Sequence, residues 1–227
     1  MTRAQGDRII AAMRQLILAS LLALVALPAG AGQIPCRDNS GMPEPAAQET
    51  PPQPNQFHRV VGKGLACAIG NAEGEAMSEH KRPVTFLPCL RIGAVGISDD
   101  RHVVEEMLGE PSQISDLDLR TQARVYPIHQ RTVPEPYYVV TYQDDVAVAV
   151  QLIGPPMEMP TTFSGLSLGQ PAQAAINTLG KPQRRCLLRG KGPETWMWQP
   201  FPIGVDVLDG RIVGFKVTWP AGRPTPN

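Results

Sequence analysis

The chain has 227 residues, of which 21 are basic and 21 acidic, and 42% are hydrophobic. This balance excludes an acidic disordered tail and a histone-like basic protein, and it provides enough apolar material for a core. The 24 prolines and 21 glycines exceed average usage and charged residues make up only 19%, so long surface helices are not expected.

Residues 1–31 have the pattern of a cleaved secretory signal peptide. Three arginines form a positive region, the apolar run Leu16–Pro28 follows, and Ala29 to Ala31 fit a small-residue cleavage site. The run is shorter than the roughly 20 apolar residues that a membrane-spanning helix needs. We therefore expect a periplasmic or secreted protein with no membrane span in the mature chain.

Four cysteines remain after cleavage, at Cys36, Cys67, Cys89 and Cys186. An even number in an oxidising compartment predicts disulfides, and four cysteines allow three pairings. We favour Cys67–Cys89, because a short loop closes most readily, which leaves Cys36–Cys186. The alternative is a four-thiolate metal site, but the spacings do not fit one, so no metal or cofactor is expected. Cys36 also lacks the preceding small residue of a lipobox, so we do not expect acylation.

The segment after the signal peptide is predicted to be loosely structured. Residues 32–56 are rich in proline and poor in apolar side chains, which indicates a flexible leader. Residues 57–90 form an N-terminal extension, in which short apolar runs broken by glycines predict short strands.

The rest of the chain contains an internal repeat, with units at 91–156 and 157–227. The pattern Leu-Gly-x-Pro ends a predicted helix at Leu108–Pro111 and again at Leu179–Pro182. In each case glycine can take a left-handed position after the helix, and proline prevents its continuation.

A β-hairpin is predicted after each helix. In the first unit alternating apolar residues flank Asp144-Asp145, and in the second they flank Asp209-Gly210. The resulting fold class is α+β: two tandem units of short helices packed on an antiparallel sheet, with a disulfide-tied N-terminal extension.

These motifs resemble a known family. Residues 165–169 (Gly-Leu-Ser-Leu-Gly), a short helix, the second Leu-Gly-x-Pro, Trp196-x-Trp198 and a pair of strands resemble the SmpA/OmlA domain of outer-membrane assembly lipoproteins. They are also similar to the repeat of β-lactamase-inhibitor proteins. The resemblance covers about residues 91–220 and implies helices on one sheet face and the binding of another protein. The missing lipobox departs from the lipoprotein pattern.

Two features could support catalysis instead. Residues 165–169 match the G-x-S-x-G elbow with Ser167 as nucleophile, but that motif needs a preceding buried strand, and Pro160 to Phe163 is too short for one. His102 and Glu106 lie four residues apart on the first helix, where they could form a base–carboxylate pair or metal ligands, although exposed helix faces commonly show this spacing. The alternative to a binding protein is therefore a small periplasmic hydrolase that uses Ser167 or His102.

A metal or small-ligand carrier is a further alternative. It would use the histidines, which besides His102 are His58, His80 and His129, or the methionines Met157 and Met159. The two methionines lie between prolines, which is more typical of a linker between the repeat units.

The candidate partner-binding residues are aromatic and basic: Tyr137, Tyr138, Tyr142, Trp196, Trp198, Arg184 and Arg185. Aromatic side chains are common binding anchors but also ordinary core residues, so those on a sheet face without helices are the best candidates. The arginines belong to a basic run from Lys181 to Lys191, which suits an acidic partner. An exported protein does not meet nucleic acid routinely, so the predicted partner is an envelope protein or a secreted enzyme.

Overall fold

The computed structural model describes residues 36–46, 53–62, 64–70, 86–130, 134–157, 160–187 and 192–220. The predicted signal peptide lies outside these residues, as do His80, Met159, Arg189 and Lys191. The described residues all belong to one compact unit. No helix in the described ranges is both long and apolar enough to cross a bilayer.

The described chain consists mainly of β-strands. The strands are β1 (Cys36–Arg37), β2 (Gln56–Val60), β3 (Gly64–Ala68), β4 (Arg91–Ile92), β5 (Val95–Gly96), β6 (Gln113–Asp116), β7 (Thr121–Pro127), β8 (Tyr137–Gln143), β9 (Val146–Ile153), β10 (Arg184–Leu187), β11 (Glu194–Met197), β12 (Ile203–Leu208) and β13 (Arg211–Thr218). Two α-helices, α1 (Arg101–Leu108) and α2 (Ala172–Leu179), and a 3-10 turn at Leu87–Cys89 complete the described elements.

Nine strands form one antiparallel sheet in the order β1-β10-β11-β12-β13-β9-β8-β7-β6. Each repeat unit contributes a helix and four consecutive strands. The units join where β9 pairs with β13, with Gln151 opposite Lys216. Two small sheets, β2–β3 and β4–β5, lie outside the main sheet.

The α+β prediction is wrong, because the molecule is mostly β. Each helix in the described ranges has only eight residues, while β6, β7 and β10 are strands that the sequence analysis did not predict. The physical reason is the local stop signal. Leu-Gly-x-Pro ends each helix after two turns, and the strands that follow pair their backbone groups with the neighbouring strands β7 and β11.

The predicted helix ends are confirmed in detail. Gly109 and Gly180 end the two helices with φ angles of 81° and 84°, a conformation that favours glycine. Their amides donate to the carbonyl oxygens of Glu105 and Ile176, at 2.9 and 2.8 Å.

The two predicted hairpins also form, with one difference in register. A bulge falls between Thr141 and Tyr142 in the first hairpin and between Asp206 and Val207 in the second. These positions correspond in the repeat. Because a bulge inserts an extra residue, it is Ala147 and Ile212 that enter the core. Strict alternation along β9 and β13 would instead place Val148 and Val213 there.

The hydrophobic core lies between the helices and one face of the sheet, called here the helix-side face. Its members come from both helices, from the N-terminal extension and from alternate strand positions, including Phe57, Leu90, Val104, Tyr126, Val140, Leu152, Ile176, Leu179, Trp198, Val205 and Phe215. The other face, called here the second face, carries the intervening residues, including Val125, Tyr137, Val139, Thr141, Gln151, Arg184, Thr195, Met197, Asp206 and Lys216.

Both favoured disulfides are present. Cys36–Cys186 joins β1 to β10 at the sheet edge, with the two Cα atoms 4.0 Å apart. Cys67–Cys89 joins β3 to the 3-10 turn, with a Cα separation of 5.9 Å. The first bridge thus ties the leader to the second repeat unit, while the second lies within the N-terminal extension, whose strand β2 packs against α2.

Candidate partner-binding face of the sheet

Four of the predicted partner-binding aromatics lie in the core. Tyr138, Tyr142, Trp196 and Trp198 project from the helix-side face and are at most 6% exposed. Their polar atoms are bonded inside the protein: the Tyr138 hydroxyl donates to Ile92 O at 3.1 Å, for example. Buried side chains of this kind stabilise the fold but do not reach a partner.

The other three predicted residues divide between the two faces. Tyr137 lies half-buried on the second face, and Arg184 lies exposed on the same face. Arg185 points to the helix-side face, where its guanidinium donates to the Asp38 carbonyl oxygen at 2.9 and 3.1 Å. Only Tyr137 and Arg184 of the predicted set are therefore placed to meet a partner on the second face.

The second face also holds a charged network that the sequence analysis missed. Lys216 Nζ lies 3.0 Å from Asp206 Oδ2, and the Thr195 hydroxyl donates to Asp206 Oδ1 at 2.5 Å. The side chains of Asp206 and Lys216 are 6% and 20% exposed. A buried charge is stable only when paired and hydrogen-bonded, so this network holds its members in fixed positions.

Gln151 lies beside this network and is incompletely satisfied. It is 2% exposed and directly opposite Lys216 across the β9–β13 junction. Its Oε1 atom accepts no hydrogen bond from the described part of the chain. A buried acceptor without a donor costs about 1–3 kcal/mol, so native proteins seldom keep one without a reason.

Tyr137 is affected by the same surroundings. Burial raises the pKa of its phenol above the ordinary value, and the negative charge of Asp206 raises it further. Like any phenol the hydroxyl is protonated at neutral pH and can donate a hydrogen bond, and the raised pKa extends this state to higher pH.

Small residues make room for the network. Gly214 pairs with Asp206, and a Cβ atom on it would lie 3.0 Å from Asp206 Oδ2.

The sequence does contain a signal for the site, since Asp206 and Lys216 interrupt apolar strands at second-face positions. What it could not show is that the two strands pair in the register that brings these charges together.

The structure places the candidate catalytic residues Ser167 and His102 on different elements of the described chain. Ser167 lies in the turn before α2, where its amide donates to Gln170 Oε1 at 3.2 Å. His102 and Glu106 are both exposed on α1. His129 pairs with Glu135 at 3.4 Å. Within the described ranges no three His, Cys, Asp or Glu side chains form a group that could hold a metal ion.

No protein-family model matches the sequence, and no curated protein matches it significantly. The resemblance to SmpA/OmlA domains therefore stays a prediction.

Two solved structures show a distant likeness to this chain. A cysteine-rich secretory protein from Staphylococcus aureus is 15% identical, with a TM-score of 0.37, over 54% of this chain and 44% of its own length. A proposed β-lactamase inhibitor protein from Streptococcus mutans is 10% identical, with a TM-score of 0.24, over 64% of this chain and 95% of its own. This chain thus spans less than half of the staphylococcal protein, and neither likeness is close enough to establish a common fold.

Proposed function

We propose that this protein is an exported, non-catalytic binding module that recognises another protein through the second face. The observation that carries the proposal is that Tyr137, Met197 and Arg184 are accessible on the second face, around the Lys216–Asp206–Thr195 network. The charged network would hold these neighbouring groups in the geometry that the partner requires.

The composition of the face supports a protein partner. A tyrosine, a methionine and an arginine, the residue types enriched at protein interfaces, are accessible around the network at Tyr137, Met197 and Arg184. They stand on paired strands, so little conformational entropy is lost on binding. We infer that the partner is an envelope protein, with this chain as an assembly factor, or a secreted or periplasmic enzyme that it inhibits.

The disulfides support a location outside the cytoplasm. Two disulfides are typical of secreted and periplasmic proteins, because the cytosol keeps thiols reduced. Export by a cleaved signal peptide, over residues 1–31, remains part of the proposal.

Site-directed photo-crosslinking tests the proposed face. Benzoylphenylalanine is placed at Tyr137 or at Met197 on the second face, with Met107 on α1 as the matched exposed control. The variants are expressed in cells that export the protein, and adducts are identified by mass spectrometry. We expect the same partner from both second-face positions and a weaker adduct, or none, from Met107. A partner captured only from Met107 would contradict the proposal.

A further inference from the structure

The proline-rich leader, predicted to be flexible, makes specific contacts with the second repeat unit. The disulfide at Cys36 fixes its start, and the Arg185 guanidinium binds the carbonyl oxygen of Asp38. Met42 then packs against the edge of the core. The leader thereby reaches a cleft between the β2–β3 hairpin and the C-terminal end of α2.

Within that cleft, residues 44–46 are held as an extended peptide ligand would be. Glu44 forms an ion pair with Lys181. The backbone of Ala46 is bound on both sides, because its amide donates to Asn177 Oδ1 at 3.0 Å and its carbonyl oxygen accepts from Arg59 Nη2 at 2.6 Å. Recognition of an extended segment through main-chain hydrogen bonds and one specific side chain is a common mode of peptide binding.

The cleft has space and bonding capacity beyond what the leader uses. It encloses about 250 Å³ and is lined on its apolar side by Leu65, Leu179 and Trp198. Arg59 Nε is buried and donates to no acceptor within the described part of the chain. With Lys181 it gives the cleft two cationic groups, which favours an acidic occupant.

We propose that this cleft is a second binding site, for extended, acidic, proline-containing peptide segments, and that the leader occupies it in cis. The local sequence Pro43-Glu44-Pro45-Ala46 suits the role, since proline restricts the backbone to extended conformations and lowers the entropy lost on binding. An acidic segment of a partner would compete with the leader for Lys181 and Arg59. The site is separate from the second face and does not depend on the function proposed for it.

The tether explains how weak individual contacts hold the leader in place. Cys36 is anchored by its disulfide only a few residues before Glu44. The tethered segment is therefore present at the cleft at an effective concentration on the order of millimolar. A free peptide must exceed this concentration to bind, so the wild-type site is closed to weak ligands.

Fluorescence anisotropy with a labelled peptide tests the proposal. The probe is a fluorescein-labelled copy of residues 40–46 (Ser-Gly-Met-Pro-Glu-Pro-Ala), titrated with the disulfide-bonded mature protein. Glu44→Lys replaces the anion of the cis segment by a cation, which Lys181 and Arg59 repel. We expect this variant to bind the probe at least about tenfold more tightly than wild type, since the cis competitor is weakened.

Two controls keep the result specific. Glu110→Lys makes the same charge change at an exposed position beyond α1 and should leave the affinity at the wild-type value. Adding Lys181→Glu to Glu44→Lys should abolish the gain in affinity for the probe. The double variant restores the cis ion pair with the two charges exchanged, and its new carboxylate repels the acidic probe.

Three results would overturn the proposal. They are equal affinities for wild type and Glu44→Lys, a gain of the same size in Glu110→Lys, and a gain that survives Lys181→Glu. Hydrogen exchange at the Ala46 amide provides a second readout: it should quicken in Glu44→Lys and stay slow in Glu110→Lys, and equal rates in the two variants would also overturn the proposal.

Discussion

The two helix-and-four-strand units share their local geometry but not their surroundings. Both helices have eight residues and end at a glycine of positive φ, and both hairpins carry a bulge at the same repeat position. Yet α1 buries only Val104, whereas α2 buries Ala172, Ala175, Ile176 and Leu179. The N-terminal extension packs on α2, and the leader binds beside it. Positions that are equivalent in the two units are therefore expected to contribute differently to stability, because the extension covers the helix of the second unit.

The largest expected difference concerns the two disulfides, of which one ties the leader to the second unit and the other lies within the extension. In the chain-entropy model the loop closed by Cys36–Cys186, with a sequence separation of 150, contributes about 5 kcal/mol, and that closed by Cys67–Cys89, with a separation of 22, about 3 kcal/mol. Double serine variants of each pair, compared by urea denaturation, should therefore lose stability in that order. A larger loss from the Cys67–Cys89 variant would show that joining β3 to the 3-10 turn stabilises the protein more than joining β1 to β10.

A matched pair of leucines tests the unequal burial of the helices. Leu179 is 2% exposed under the β2–β3 hairpin, while its repeat equivalent Leu108 is only partly buried. Leu179→Ala should destabilise the protein by about 2–5 kcal/mol, the usual cost of a buried cavity, and Leu108→Ala by clearly less. Urea denaturation measures both. Equal losses would mean that the extension adds nothing to the burial of α2.

Alkaline pH tests the first unit specifically, because all four tyrosines belong to it. Burial raises the pKa of Tyr138 from 10.0 to about 12, and it also raises the pKa of Tyr126, Tyr137 and Tyr142. The neutral phenol is the folded form, so the stability that Tyr138 contributes is complete below pH 10 and is lost as the pH rises through about 12.

Tyrosinate absorbance at 295 nm should accordingly stay low in the folded protein at pH 10, where the urea-unfolded chain is half ionised. Raising the pKa of Tyr138 from 10.0 to about 12 corresponds to about 2–3 kcal/mol of folding stability. Tyr138→Phe serves as the control, because its stability should fall less over this pH range. Ionisation of all four phenols near pH 10 in the folded state would contradict the placement of these side chains.

The smallest expected effect concerns the helix-ending glycines. Alanine at Gly109 or Gly180 should cost about 1 kcal/mol, since a Cβ atom is disfavoured at positive φ. A Cβ on Gly109 would meet nothing within 4 Å, and one on Gly180 would only touch the Arg59 side chain, at 3.5 Å. The two losses should therefore be similar and should add in the double variant, as measured by thermal denaturation. A strongly larger loss at Gly180 would show that the contact with Arg59 is tight.

Much of the local structure could be predicted from the sequence, because short-range sterics determine it. Glycine after a leucine-ended helix, and Asp-Asp or Asp-Gly between apolar runs, leave few backbone conformations, and the turn residues Asp144 and Asp209 do have positive φ. The cysteine pairing followed from counting and loop length. The prediction of fold class missed strands, since the polar segments at β6 and β10 carry little strand signal of their own and extend because a neighbouring strand pairs with them.

The candidate site depended on information that no short segment contains. Trp196 and Tyr137 look alike as anchors in the sequence, yet one lies in the core and the other on the second face, and the choice follows from strand register and from the side on which the helices pack. The meeting of Glu44 with Lys181 joins segments that are distant in the chain, and that of Lys216 with Asp206 depends on the bulged register between β12 and β13. The sequence by itself determined the caps, turns and disulfide partners of this protein, because those obey local sterics and chain connectivity. Tertiary structure alone decided which side chains lie on the second face and which lie in the core, because strand pairing and helix packing set the orientation of each face.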